Sequence, residues 1–191
     1  MNSSIKKSPP VLDIDLSMAH SFLEKLDPEG IFTFQTFDEG DQKDYKKSLV
    51  LHGSLEQHAQ KLTQMNNLGA GVFVMVNRGD GIVNVGKKTC RTNDNVISVR
   101  ALFADADGTP LESILQKSPP PHILVESSPD KWHLYWLTID TPLNEFKAAQ
   151  QAIARMLGTD TSVCDLSRVL RIPGFYHQKS KPFMVRLVDN V

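Results

Sequence analysis

The chain has 191 residues, enough for one domain with a substantial core. Its net charge of −1 and its 40% apolar and 23% charged content are those of an ordinary globular protein, which argues against a disordered or fibrous chain and does not by itself announce a nucleic-acid binder. No apolar run reaches the ~18 residues of a membrane span, the polar start "MNSSIKKSPP" has no signal-peptide core, and two isolated cysteines, Cys90 and Cys164, make neither a disulfide framework nor a zinc site, so a cytoplasmic protein with reduced thiols is expected.

Residues 1–12, rich in Ser, Lys and Pro, read as a flexible lead-in, and 13–191 as a single domain. Met18, Phe22, Leu23 and Leu26 fall at helical spacing within 17–26. "IFTFQTF" (31–37) is β-branched and aromatic, hence a strand, and "DEGDQKDYKK" (38–47) is a charged loop. "SLEQHAQKLTQM" (54–65) opens with the Ser54/Gln57 pattern of a capping box and continues as a helix. "GVFVMVN" (71–77) is a strand turned by "RGDG", and "VISVRALFA" (96–104) reads as one continuous strand. A short helix (111–117), a strand (122–126), a turn at "SSPDK" and a strand (132–138) follow. The clearest helix spans 142–157, with Pro142 in its first turn and Leu143, Phe146, Ile153 and Leu157 as its apolar stripe. "RVLRIPGF" and "FMVRLV" are strand-like, and the chain ends directly after the second, as a piece of a longer protein would. Alternating strands and helices give an α/β or α+β class around a mixed sheet.

The strand at 96–104 runs into "DADG". Asp105 and Asp107, two apart, project to one face and repel each other unless a cation sits between them. Hard carboxylate oxygens in that pattern suit Mg²⁺ or Mn²⁺, which usually act on phosphate. Around the next turn stand Ser127, Ser128, Lys131 and His133, all of them able to donate to phosphate oxygens. Residues 166–188 carry Arg168, Arg171, Lys179, Lys181 and Arg186 with no acidic residue, a basic tract able to bind phosphates locally. Arg168 and Arg171, three apart, fall on opposite faces of a strand, so one of them serves the site and the other the fold. Pro173–Gly174 turns the chain and returns His177 and Lys179 nearby.

With these stretches in hand, the chain resembles the catalytic domain of the archaeo-eukaryotic primase superfamily, in its plasmid and phage RepB-like branch. "LFADAD", "SSPDKWHLYW" and "DTSVCDLSRVLRIPGFYHQK" carry the match in that order, over about residues 70–188. The resemblance implies a primase-polymerase core: an RRM-like sheet packed with a smaller α/β unit, with a central active-site cleft. It implies a nucleotidyltransferase that uses NTP or dNTP on a single-stranded DNA template in plasmid or phage replication, in company with a helicase domain or protein. Asp105, Asp107 and Asp160 would hold two Mg²⁺ or Mn²⁺ ions, with Asp165 the alternative third ligand. His133, Ser127, Ser128, Lys131, Arg171, His177 and Lys179 would contact the nucleotide, and Arg168, Lys179 and Lys181 the DNA. Two other classes fit the D-x-D or the sheet: another metal-dependent enzyme, such as a nuclease, or a non-catalytic RRM-like module stacking bases on Phe73, Tyr135 and Trp136.

Overall fold

The structure, a computed structural model, describes residues 12–188, so the lead-in expected over 1–12 lies, apart from Leu12, outside the described residues. Helix α1 (Leu16–Leu26) is capped by Asp15, whose side chain accepts the Met18 N–H, and buries Ala19, Phe22, Leu23 and Leu26. Strand β1 (Phe32–Asp38) pairs with β2 (Val50–Gly53) and with β3 (Ala70–Met75), and β3 pairs with β9 (Val169–Arg171), giving a four-stranded sheet in the order β2-β1-β3-β9. Helix α2 (Leu55–Asn67) begins with the Ser54/Gln57 capping box that the sequence announces.

The second sheet holds β6 (Ala101–Ala106), β7 (Ile123–Ser128), β8 (Lys131–Leu137) and β12 (Arg186–Val188), in the order β12-β7-β8-β6. Helices α3 (Leu111–Leu115) and α4 (Leu143–Leu157) follow β6 and β8, so the strands of this sheet and their helices read βαββαβ, with residues 169–184, which pair elsewhere, intervening before β12. Two small hairpin-like pairs complete the fold: β4 (Arg78–Gly79) with β5 (Val96–Ser98), and β10 (Tyr176–His177) with β11 (Phe183–Met184).

Every strand pairing in the two large sheets is antiparallel, so the class is α+β and the sheets are antiparallel throughout where a mixed sheet was expected. The expected single strand at 96–104 is broken into β5 and β6. Buried Arg100 makes the break: its N–H donates to Asn77 Oδ1, its guanidinium pairs with Asp27 at 2.5 Å and donates to the Ile31 carbonyl, and it lies 4.7 Å over the Phe32 ring. "FMVRLV" is likewise split, because Val185 exchanges hydrogen bonds with Gly174 and Phe175 instead of continuing a ladder. Gly174 is required there: at φ +85° an added Cβ would lie 2.0 Å from the Asp15 carbonyl oxygen.

One core cluster joins α1, α2 and both sheets through Phe22, Phe34, Val74, Phe103, Val125 and Tyr135. A second lies on the other face of the second sheet, where α3 and α4 cover Ala104, Ala106, Leu124 and Leu134. The free edge of β6 is closed by Gln150 of α4, whose amide accepts from the Phe103 N–H at 3.1 Å and donates to the Phe103 carbonyl. An edge strand thus held carries its last residues out at a fixed angle.

Candidate active site

Alternation along β6 sends Ala101 and Phe103 into the first core and brings Asp105 to the rim of the same face, with Asp107 just beyond the strand. The register sets Asp105 opposite His133 of β8, and His133 Nε2 stands 3.7 Å from Asp105 Oδ1. The β7–β8 connection is only Pro129 and Asp130, with Asp130 in the left-handed region at φ +60°, a conformation aspartate tolerates. This tight turn puts Lys131 opposite Ser128 and lets its ammonium reach Asp107 Oδ1 at 2.7 Å. Ser127 and Ser128 are buried beside it. Trp132 alternates to the other face, against the second core cluster, so it does not crowd the phosphate side.

His133 is 4% exposed, and burial pushes its imidazole down to about 4; Asp105 opposes the shift and Arg171 adds to it. The ring is therefore neutral at pH 7, and its buried Nδ1 has no hydrogen-bond partner.

The opposite wall comes from the first sheet. Arg171 at the end of β9 lies 4.6 Å over the Phe73 ring, and its Nη2 pairs with Glu39 at 2.5 Å. Glu39 also accepts the Gln178 backbone N–H at 2.7 Å and faces His177 Nε2 at 3.9 Å. Burial first, then the Arg171 charge, lower the His177 pKa, with Glu39 acting against them. Gly71 makes room for the ion pair: a Cβ there would come within 2.8 Å of both Arg171 and Glu39.

Between these walls lies a cavity of about 250 Å³. Asp105, Asp107, Ser127, Ser128, Lys131 and His133 enter it from the second sheet. Arg171, His177 and Lys179 enter from the other side, with Phe73 beneath them. Nine of the candidate site residues thus meet in one place, although 74 positions separate Asp105 from Lys179. Of the two arginines, Arg171 belongs to this cavity.

Four others do not line it. Asp160 is exposed in the turn after α4, where its carboxylate accepts the Ser162 N–H and hydroxyl, each at 2.8 Å; these bonds lower its pKa. Asp165 pairs with Arg168 at 2.5 Å, and both line an adjoining cavity of about 480 Å³ with Arg91, which shares Phe73 and Val169 with the first. Lys181 is exposed beyond β10.

Asp105 and Asp107 are hard-oxygen donors with a cation already drawn to one of them, so the pair fits a divalent ion. Among the described residues no group of three His, Cys, Asp or Glu is arranged to hold a metal, so a two-ion cage needs a third carboxylate brought in from outside the cavity. The base-stacking alternative loses two of its rings. Tyr135 is fully buried against Phe22, and Trp136 packs against the second core cluster with its N–H on the Pro119 carbonyl.

Glu39, the buried ion-pair partner of Arg171 beside the cavity, is a residue the sequence did not reveal. In "DEGDQKDYKK" it is one acid among several, and only the fold shows it meeting an arginine 132 positions away. Gly71 is similarly silent inside an apolar run.

Residues 83–190 match the model of the RepB DNA-primase N-terminal domain. No curated protein sequence matches the chain. Three solved structures share its fold. The AEP domain of the cyanophage S-2L primase-polymerase superimposes with a TM-score of 0.71 at 17% identity, over 93% of this chain and 91% of that one. The primase RepB′ gives 0.65 at 16% identity, over 91% of this chain and 56% of that one. The catalytic domain of primase RepB′ in complex with initiator DNA gives 0.62 at 16% identity, over 90% of this chain and 82% of that one.

Proposed function

The chain belongs to the RepB DNA-primase N-terminal domain family, and from that premise we propose that it is a nucleotidyltransferase that joins NTP or dNTP to a 3′-hydroxyl on single-stranded DNA. The observation that carries the proposal is the single cavity in which an acidic pair, Asp105 and Asp107, faces the donors Lys131, His133 and Arg171. Opposite charges in one cleft suit a triphosphate whose charge must be both gripped and neutralised.

Asp105 and Asp107 would hold a divalent Mg²⁺ or Mn²⁺ ion. Bound there, such ions supply positive charge to the attacking hydroxyl and to the leaving pyrophosphate. Asp165 is the third carboxylate, in preference to Asp160. It lines the cavity next door, which shares Phe73 and Val169 with the site, and is paired there with Arg168. Lys131 and Arg171 grip phosphate oxygens through charge-assisted hydrogen bonds. His133, neutral and buried, donates a single N–H in a fixed direction. Ser127, Ser128, His177 and Lys179 complete the polar lining. Arg168 and Arg91 in the adjoining cavity, with Lys179 and Lys181, meet the phosphates of the DNA strand. That one structural relative holds initiator DNA supports a DNA partner.

The test is incubation with single-stranded DNA, labelled nucleotides and Mg²⁺ or Mn²⁺, comparing the wild type with Asp105→Ala/Asp107→Ala. Template-dependent products in the wild type alone support the reading. Equal products in both, or strand cleavage without incorporation, overturn it.

A further inference from the structure

The loop between β1 and β2 looks solvated in sequence, yet it is tied down from within. The Asp38 carboxylate accepts the backbone N–H groups of Asp44 at 2.7 Å and Gly40 at 3.2 Å, and pairs with the Lys47 ammonium at 3.1 Å. The Lys43 ammonium donates to the Asp38 carbonyl at 3.0 Å. Asp44 caps the short helical turn Tyr45–Lys47 by accepting the Lys46 N–H, and Thr36 donates its hydroxyl to the Lys47 carbonyl at 2.6 Å. So many bonds fix the turn, and what it presents is an aromatic ring in water: Tyr45 is 86% exposed. Packing does not account for that ring.

Tyr45, Phe37 and Phe73 line a cleft of about 400 Å³, with Lys43, Asp44 and Ser48 among its polar residues. Phe37 and Phe73 meet edge to face with ring centres 5.3 Å apart. The cleft adjoins the catalytic cavity, and Phe73 and Lys179 line both. One ligand can therefore lie across the two, with its anionic end among Lys131, His133 and Arg171 and its flat end among the aromatic rings.

Deepening the proposed function, on which this reading rests, we propose that the Tyr45–Phe37–Phe73 cleft is the base subsite for the incoming nucleoside triphosphate. The triphosphate lies in the catalytic cavity, the sugar passes Phe73 and Lys179, and the base stacks on the aromatic residues. Lys179, which lines this cleft and the phosphate-gripping cavity but not the neighbouring one, favours the incoming nucleotide over a template base. The neighbouring cavity, with Arg91 and Arg168, has the charge for DNA phosphates instead. Stacking is tolerant of base identity, since every base has a π face. A subsite built mainly of rings leaves the choice of base to pairing with the template.

The test uses the 2-aminopurine deoxyribonucleoside triphosphate as a fluorescent probe, with Mg²⁺, on the whole chain. Fluorescence is quenched on binding to the wild type. Tyr45→Phe, which keeps the ring, binds as the wild type does. Tyr45→Ala binds about 5- to 150-fold more weakly, as expected for one lost stacking partner. Because Tyr45 is exposed, the variant keeps its fold, and its affinity for inorganic tripolyphosphate, measured by calorimetry, is unchanged. Its binding of a single-stranded oligonucleotide with an internal 2-aminopurine is also unchanged. Three results overturn the assignment while leaving the proposed function standing: Tyr45→Ala binding the probe like the wild type, losing tripolyphosphate in the same proportion, or failing only on the oligonucleotide. A wild type that binds neither the probe nor tripolyphosphate overturns both.

Discussion

Replacing Glu39 by glutamine removes one charge from a buried pair without changing its shape. The Glu39 and Arg171 side chains are 2% and 10% exposed, and the carboxylate is the ion-pair partner the structure gives that guanidinium. Breaking a buried pair from one side costs about 3–5 kcal/mol, because the remaining charge is left uncompensated. The lower end applies here, since the glutamine carbonyl still accepts the Gln178 N–H that Glu39 holds at 2.7 Å. A loss of about 3 kcal/mol at 2–4 °C per kcal/mol, the range for a chain of this size, lowers the midpoint by about 6–12 °C. Thermal unfolding followed by circular dichroism measures it. Glu39→Gln/Arg171→Met, which removes both charges, recovers most of the lost stability, while its nucleotide affinity stays low because the phosphate donor is gone. A midpoint for Glu39→Gln within about 1 °C of the wild type, or strictly additive losses in the double variant, would refute the reasoning.

Asp165→Asn abolishes nucleotide incorporation in the primer-extension assay while Asp160→Asn leaves most of it, because Asp165 borders the catalytic cavity across Phe73 and Val169 and Asp160 is spent on Ser162. Arg168→Ala and Lys179→Ala each reduce the slope of log affinity against log salt for single-stranded DNA by about 0.7, the value for one phosphate contact, read from fluorescence anisotropy titrations. Asp38, held down to about 2 chiefly by the Asp44 N–H, contributes stability above about pH 4, and that stability is lost as the pH falls toward 2. In denaturant melts at stepped pH, Asp38→Asn is therefore the less stable protein at pH 7, by on the order of 2 kcal/mol, and lacks this part of the acid decline.

The local chemistry of the site was legible in the sequence because it is carried by short-range patterns. A D-x-D at the end of an apolar strand and a two-residue turn before His133 need only the alternation of a β-ladder to bring Asp105, Lys131 and His133 together. Helix α2 was equally plain, since Ser54 and Gln57 satisfy its first turn locally. What was hidden depends on partners far away in the chain. The break between β5 and β6 is made by Arg100 reaching Asp27, 73 positions earlier. Glu39 becomes part of the site only through Arg171, and the loop after it becomes a wall only because Asp38 turns inward. The resemblance put Asp160 first as the third carboxylate, and the turn that follows α4 holds that carboxylate on Ser162.

The central claim is that Asp105 and Asp107 bind a divalent ion in the cavity where Lys131, His133 and Arg171 take a triphosphate. Electron paramagnetic resonance of Mn²⁺, titrated into the protein with and without a non-hydrolysable nucleoside triphosphate, tests it most directly. Free Mn²⁺ signal should fall on addition of wild-type protein, more so with the nucleotide, and should persist with Asp105→Asn/Asp107→Asn. Equal uptake by the wild type and this variant would contradict the account.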